Sequence, residues 1–249
     1  MSTMILDRVS ADIAGTTILD TLSTRLDTGT FVAILGPNGA GKSTLLRAIA
    51  GLIPARGTLT LDGRAIVEMS VHQRARQIGY LPQGHETHWP LSVADIVGLG
   101  RFPHGATDPR RLPPADADAV RRAMDDADVT QFASRRANAL SGGERARVAL
   151  ARILAQETPV ILADEPTASL EPRYQIEVMR LLSRVAAGGR LVIAVLHDLD
   201  LAARYADRAI VLDRGRIAAD GTVADALNAD ICHRVFGIRQ RSGGGWEIA

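Results

Sequence analysis

The stretch LGPNGAGKST, residues 35–44, decides the fold. Gly36 to Ser43 fits G-x-x-x-x-G-K-S, a glycine-rich turn with a lysine where a helix begins. Glycines let the backbone curl until consecutive N–H groups point inward at an anion. The helix that follows adds partial positive charge at its start. Gly36, Pro37, Asn38, Gly39, Ala40, Gly41, Lys42, Ser43 and Thr44 are therefore the candidate phosphate-binding residues. In that reading Lys42 brings an ammonium to the terminal phosphates of a nucleotide and Ser43 offers its hydroxyl to Mg2+. Among 29 lysines and arginines, Lys42 is the one lysine. Genome base composition explains why arginine replaces lysine elsewhere, but not why lysine stands here. A guanidinium is broad and planar, whereas an ammonium is a compact charge that fits inside a curled loop.

Working outward, FVAIL (31–35) runs into this turn, and KSTLLRAIAG runs out of it to Gly51, a natural helix end. Three more unbroken apolar runs follow: PVILA (159–163), LVIAVL (191–196) and AIVLD (209–213). Such runs suit strands buried on both faces. Between them, 141–156 and 173–186 repeat apolar residues at helical spacing, Val148, Ala151 and Leu154 in one and Tyr174, Val178 and Leu181 in the other. Strands alternating with helices predict an α/β fold with a mostly parallel core sheet. Residues 1–30 and 57–80 carry shorter, more polar strand-like runs and are read as a small antiparallel layer. Residues 92–138 are Ala- and Asp-rich and are read as a helical insertion, broken by RFPHGATDPRRLPP (101–114). The tail RSGGGWEIA (241–249) reads as a loose end.

Composition narrows the function classes. A net charge of +1 and an aromatic content of 4% give no basis for a nucleic-acid partner. The single cysteine, Cys232, excludes an internal disulfide. The N-terminus lacks a basic-then-apolar signal pattern, and no apolar run reaches the ~18 residues of a membrane span. The expectation is a soluble, cytosolic chain whose membrane role comes through a partner.

Two further motifs carry chemistry. ILADEP (161–166) ends a buried run with two acids: Asp164 is placed to hold Mg2+, and Glu165 is the candidate base for an attacking water. LSGGE (140–144) puts Ser141 where it caps a helix that opens on Gly142 and Gly143. That is a second anion-binding helix start, so a phosphate clamped from two sides is expected. His85, Glu86 and His88 in HETH do not have the spacing of a helical H-E-x-x-H metal pair and read as loop.

With these motifs in this order, the chain resembles the nucleotide-binding subunit of ABC transporters over essentially its whole length. LSGGE is that family's signature. The resemblance implies one ABC ATPase domain over 1–249, a P-loop NTPase. Its RecA-like core and antiparallel layer would span about 1–85 and 157–249, and its helical subdomain about 86–156. It implies ATP and Mg2+ as ligands and a head-to-tail homodimer, in which Ser141, Gly142, Gly143 and Glu144 of one copy close over the ATP of the other. Gln83 in YLPQG matches the glutamine that touches Mg2+ or its water, and His197 in AVLHDLD the histidine that contacts the γ-phosphate. Ile13 stands where the family usually has an aromatic residue stacked on adenine, which loses about 1 kcal/mol of stacking. Ala168-Ser169-Leu170-Glu171 replaces the usual SALD. WPLSVADIVGLGRFPHG (89–105) and the following motifs resemble importers of ferric siderophores, haem or cobalamin, with iron-chelate uptake the leading expectation. Such a subunit works with two integral-membrane permease subunits, and indirectly a substrate-binding protein, as a peripheral protein on the cytoplasmic face of the plasma membrane. A soluble ABC ATPase uncoupled from transport is the alternative from another class.

Overall fold

Five strands of the core run parallel with their C-terminal ends on one side, and this places the motifs together. The computed structural model describes residues 2–84, 91–240 and 245–249, so the HETH stretch at 85–88 lies outside the described residues. In chain order the elements are β1 (Thr3–Ile13), β2 (Thr16–Asp27), β3 (Phe31–Leu35), α1 (Lys42–Ile49), β4 (Arg56–Leu61) and β5 (Arg64–Ala65). Then come α2 (Val71–Ala75), β6 (Ile78–Leu81), α3 (Val93–Gly98), α4 (Pro114–Asp126), α5 (Gly142–Leu154) and β7 (Val160–Asp164). They are followed by α6 (Pro172–Ala187), β8 (Leu191–Val195), α7 (Leu199–Tyr205), β9 (Arg208–Asp213) and β10 (Arg216–Thr222). After short helical turns, β11 (Ile238–Gln240) pairs with β12 (Trp246–Ile248).

The main sheet has the order β10-β9-β3-β8-β7-β6. All its pairings are parallel except the β9–β10 hairpin at one edge. The second sheet, β2-β1-β4-β5, is antiparallel throughout. The period of a strand explains how one sheet serves two cores. In β3, Phe31, Ala33 and Leu35 face the cluster built with α3 to α7, while Val32 and Ile34 face the one built with α1, β1 and β2. The strands β7 and β8 alternate in the same way, and every residue of β3, β7 and β8 is buried. Each such Val, Leu or Ile contributes roughly 1.5–3 kcal/mol by leaving water.

Three sequence expectations change. Ile78–Leu81 belongs to the core sheet beside β7, not to the antiparallel layer. A four-residue strand is too short to show its burial by pattern, and Gly79 marks it only by close packing, since a Cβ there would lie 2.8 Å from Ile153. Far from short, β1 and β2 are the longest strands of the chain, with 11 and 12 residues. Trp246–Ile248 is a strand, and the Trp246 indole N–H donates to Asp200 Oδ1 at 3.0 Å. Among the described residues no helix is long and apolar enough to cross a membrane.

Candidate functional site

Parallel pairing puts the C-terminal ends of β3, β6, β7 and β8 on the same edge, where ligands of open α/β sheets sit. The segment 36–41 leaves β3, Gln83 follows β6, Glu165 follows β7 and His197 follows β8. Side chains spread over more than a hundred positions of sequence thereby meet at one edge.

The loop after β3 depends on its glycines. Gly36 has φ +143°, and a Cβ there would sit 2.2 Å from the Leu212 carbonyl oxygen. Gly41 has φ +98° and is the N-cap of α1, with no side chain capping that helix. The first N–H groups of α1 thus keep their capacity for an external acceptor. Lys42 folds back into the loop, 6% exposed, and its Nζ donates to Gly36 O at 2.8 Å and Pro37 O at 3.0 Å. An ammonium has three protons, so one remains for a phosphate. Burial lowers the Lys42 pKa from its ordinary 10.5, while the nearby Glu165 and Asp164 carboxylates act the other way.

Ser43 Oγ donates to Asp164 Oδ1 at 2.8 Å, so the hydroxyl and carboxylate assigned to a cation are adjacent. Asp164 is fully buried, and its second oxygen accepts from the Tyr80 hydroxyl at 3.3 Å. Sequence reasoning missed Tyr80; its one signal was its place three residues before Gln83. Burial raises the Tyr80 pKa, which keeps that hydroxyl a proton donor.

Glu165 turns the chain through φ +51°, a left-handed conformation that costs a residue with a side chain of order 1 kcal/mol or more. Its carboxylate is held from two sides. Gln83 Nε2 donates to Oε2 at 2.7 Å, and His197 Nε2 donates to Oε1 at 2.7 Å. Two residues assigned from motifs thus converge on the third.

A cavity of about 490 Å3 runs from this point along the loop. Ile13, Thr16, Ile18, Asn38 to Thr44 and Glu165 line it. Ile13, on the β1–β2 hairpin, is one of its lining residues and is 43% exposed. Neither Thr16 nor Ile18 was singled out from sequence; alternation along β2 from Thr16 is the signal that would have found Ile18.

These features suit a nucleoside triphosphate: an uncapped helix start, one free ammonium proton, and a carboxylate at the phosphate end. The family model of the ABC transporter matches residues 19–168. The chain belongs to the ABC transporter family. It is 48% identical over 220 residues to the hemin import ATP-binding protein HmuV of Nocardia farcinica, covering 88% of this chain and 75% of that one. It is 40% identical over 225 residues to the ferric enterobactin transport ATP-binding protein FepC of Escherichia coli K12, covering 90% and 83%. Among solved structures, the dimeric post-hydrolysis state of the ATP-binding cassette MJ0796 bound to ADP and Pi superposes with a TM-score of 0.76. That match is at 27% identity and covers 88% of this chain and 98% of the other. The chain is thus an ABC ATPase that binds and hydrolyses ATP.

The signature of this ABC ATPase lies elsewhere on its surface, and none of its residues lines the cavity. Ser141 caps α5 in a full capping box: Glu144 N–H donates to Ser141 Oγ at 3.3 Å, and Ser141 N–H donates to Glu144 Oε2 at 2.7 Å. The Ser141 N–H bond is the main reason the Glu144 pKa is lowered. Ser141 and Gly142 are exposed, whereas Gly143 is buried beneath Tyr174. Among the described residues no cluster of three or more His, Cys, Asp or Glu side chains could hold a metal alone.

Proposed function

We propose that this ABC ATPase powers uptake of an iron chelate, hemin or a ferric siderophore, through a membrane permease. One observation supports the cargo reading: the 48% identity with the hemin import subunit exceeds the 42% identity with the cobalamin import ATP-binding protein BtuD of Halobacterium salinarum, which is the alternative. The machinery of a motor is present alongside it. The working unit is a homodimer on the cytoplasmic face, with two permease subunits and a substrate-binding protein supplying the cargo.

In this reading Lys42 and the N–H groups of Gly39 to Thr44 hold the phosphates. Ser43 and Asp164, with Gln83 close by, would hold Mg2+. Their oxygen donors suit a small hard cation that keeps water and phosphate as its other ligands. Bound Mg2+ neutralises charge that develops on the phosphate oxygens. Glu165 takes a proton from water as that water's oxygen attacks the γ-phosphorus, and ADP and inorganic phosphate leave. Each Glu165 oxygen keeps a further lone pair for that proton beside the bond it accepts from Gln83 or His197. His197 then turns its Nε2–H to the γ-phosphate. Ser141, Gly142, Gly143 and Glu144 come from the second copy and close the other side of the phosphates.

The test is uptake by the chain reconstituted with its permease, against ferric siderophores, hemin and cobalamin. ATP-dependent uptake of hemin or a ferric siderophore, lost in Glu165→Gln, is the expected result. Uptake of cobalamin alone overturns the cargo, and failure to co-purify with any polytopic membrane protein overturns the transport role.

A further inference from the structure

We infer that Tyr80, with Arg47 behind it, is a positioning residue for Asp164 and sets how tightly this ABC ATPase takes up Mg2+. This rests on the Mg2+ reading proposed above and extends it to two residues outside the cation's candidate ligands. Parallel pairing sets Tyr80 of β6 opposite Leu162 of β7. Residues two apart on a strand share a face, so Asp164 follows Leu162 on that face. Tyr80 packs against the core on the α1 side, to which Leu162 belongs. From there its hydroxyl reaches forward and donates to Asp164 Oδ2 at 3.3 Å. On α1, Ser43 and Arg47 are four residues apart and lie one turn above the other. Ser43 Oγ donates to Asp164 Oδ1 at 2.8 Å, and the Arg47 guanidinium faces the Tyr80 hydroxyl. A guanidinium has donors only, so it addresses a lone pair of the phenol and leaves the phenol's proton for Asp164.

Asp164 is fully buried, so its oxygens depend on protein donors rather than on water. The terminal torsion of an aspartate is broad and does not fix itself. A single donor on Oδ1 leaves the carboxylate free to turn about that contact. A second donor, on Oδ2, stops the turn. Oδ1 is thereby kept beside the Ser43 hydroxyl, where Mg2+ would meet both. Partners that orient a metal's ligands commonly change its affinity about 10–100-fold. At 3.3 Å the Tyr80 bond is long for two oxygens, which puts the expected effect at or below the lower end, about three- to tenfold.

The experiment is calorimetric titration of a non-hydrolysable ATP analogue, adenylyl imidodiphosphate, into the full chain, as wild type and as Tyr80→Phe. Each is titrated once with Mg2+ and once with EDTA. With EDTA, Tyr80→Phe should bind the analogue as tightly as the wild type, because the phosphate loop is untouched. With Mg2+ it should bind about three- to tenfold more weakly, and half-maximal ATP hydrolysis should need more Mg2+ by a similar factor. Equal loss with Mg2+ and with EDTA overturns the inference, since Tyr80 then only packs beneath the loop. An unchanged or stronger response to Mg2+ also overturns it. Should Tyr80→Phe fail to fold, Arg47→Met, at an exposed position of α1, is read in the same way. A weakening confined to Mg2+ supports the inference there, and its absence overturns it. A wild type that gains nothing from Mg2+, in analogue affinity or in turnover, overturns the Mg2+ reading itself, and this inference with it.

Discussion

Two glycine-rich helix starts serve this protein, and they are built on opposite plans. At α1 no side chain caps the helix, the N-cap is Gly41 in a left-handed conformation, and the buried Lys42 is folded into the loop. At α5 the helix is capped by its own Ser141, closed by Glu144, and exposed. The first presents uncapped N–H groups beside its own cation. The second has two donors committed within its capping box and a carboxylate beside it, so it is a weak anion site by itself. The proposed mechanism turns the contrast into a division of labour: α1 would capture nucleotide in the single chain, and α5 would contribute only when dimer closure brings phosphate to it.

The largest effect that can test this contrast is at Lys42. Lys42→Ala should cut ATP hydrolysis about 10²–10³-fold, the usual cost of losing one charged donor at a transition state. Lys42→Arg should fare nearly as badly, because the buried ammonium already fills its place between Gly36 O and Pro37 O. Near-normal steady-state turnover in the arginine variant would break the case for a compact charge. A pH effect follows with a definite sign. Burial lowers the Lys42 pKa below 10.5, so the charged lysine costs the nucleotide-free fold stability at neutral pH, and that cost fades as pH rises through the lowered value. Bound phosphate favours the charged form, so nucleotide affinity should fall over the same alkaline window, and should stay flat there in Lys42→Ala. Titration of nucleotide binding from pH 8 to 10.5 checks it.

Next in size is Glu165→Gln, expected to slow hydrolysis by about 10²–10⁴-fold while nucleotide still binds. The variant should accumulate as an ATP-bound dimer on gel filtration. Wild-type turnover would mean the base lies elsewhere. At the other helix start, Ser141→Arg should abolish hydrolysis but leave single-chain ATP affinity within about twofold, measured by titration at a concentration where the chain is monomeric. Loss of binding in the isolated chain would place α5 beside its own chain's nucleotide and erase the contrast.

Much of this was legible from sequence, for physical reasons. The motif is ten consecutive residues that run from the end of a strand into a helix, so its pattern can be read locally. The strands β3, β7 and β8 are buried on both faces, which leaves unbroken apolar runs. What stayed hidden depends on contacts between remote segments. Tyr80 meets Asp164 across 84 positions, and the joint hold of Gln83 and His197 on Glu165 spans 82 positions on one side. The motifs named those residues but not that they hold each other. A strand as short as Ile78–Leu81 shows no period, and Trp246–Ile248 is a strand only because β11 lies ready to pair with it. The capping box at Ser141 and Glu144, three residues apart, was by contrast within reach of local reasoning.

The smallest effects separate the two glycines of the signature. Gly143 lies against Tyr174, where a Cβ would sit 2.4 Å from the ring carbon Cγ. Gly143→Ala must displace the base of that ring and should cost about 1–3 kcal/mol of stability. Gly142 has open space around its Cβ position and a helical backbone. Gly142→Ala should therefore stabilise the fold by about 0.5–1 kcal/mol, the ordinary gain of alanine over glycine in a helix. If the opening N–H groups of α5 meet the phosphate of the other copy's ATP, the same methyl intrudes there and hydrolysis falls. A higher melting temperature with lower turnover is thus the expected pair of results for Gly142→Ala. A higher melting temperature with unchanged turnover would mean that the phosphate does not approach this helix start, and that Gly142 is there for some reason other than catalysis.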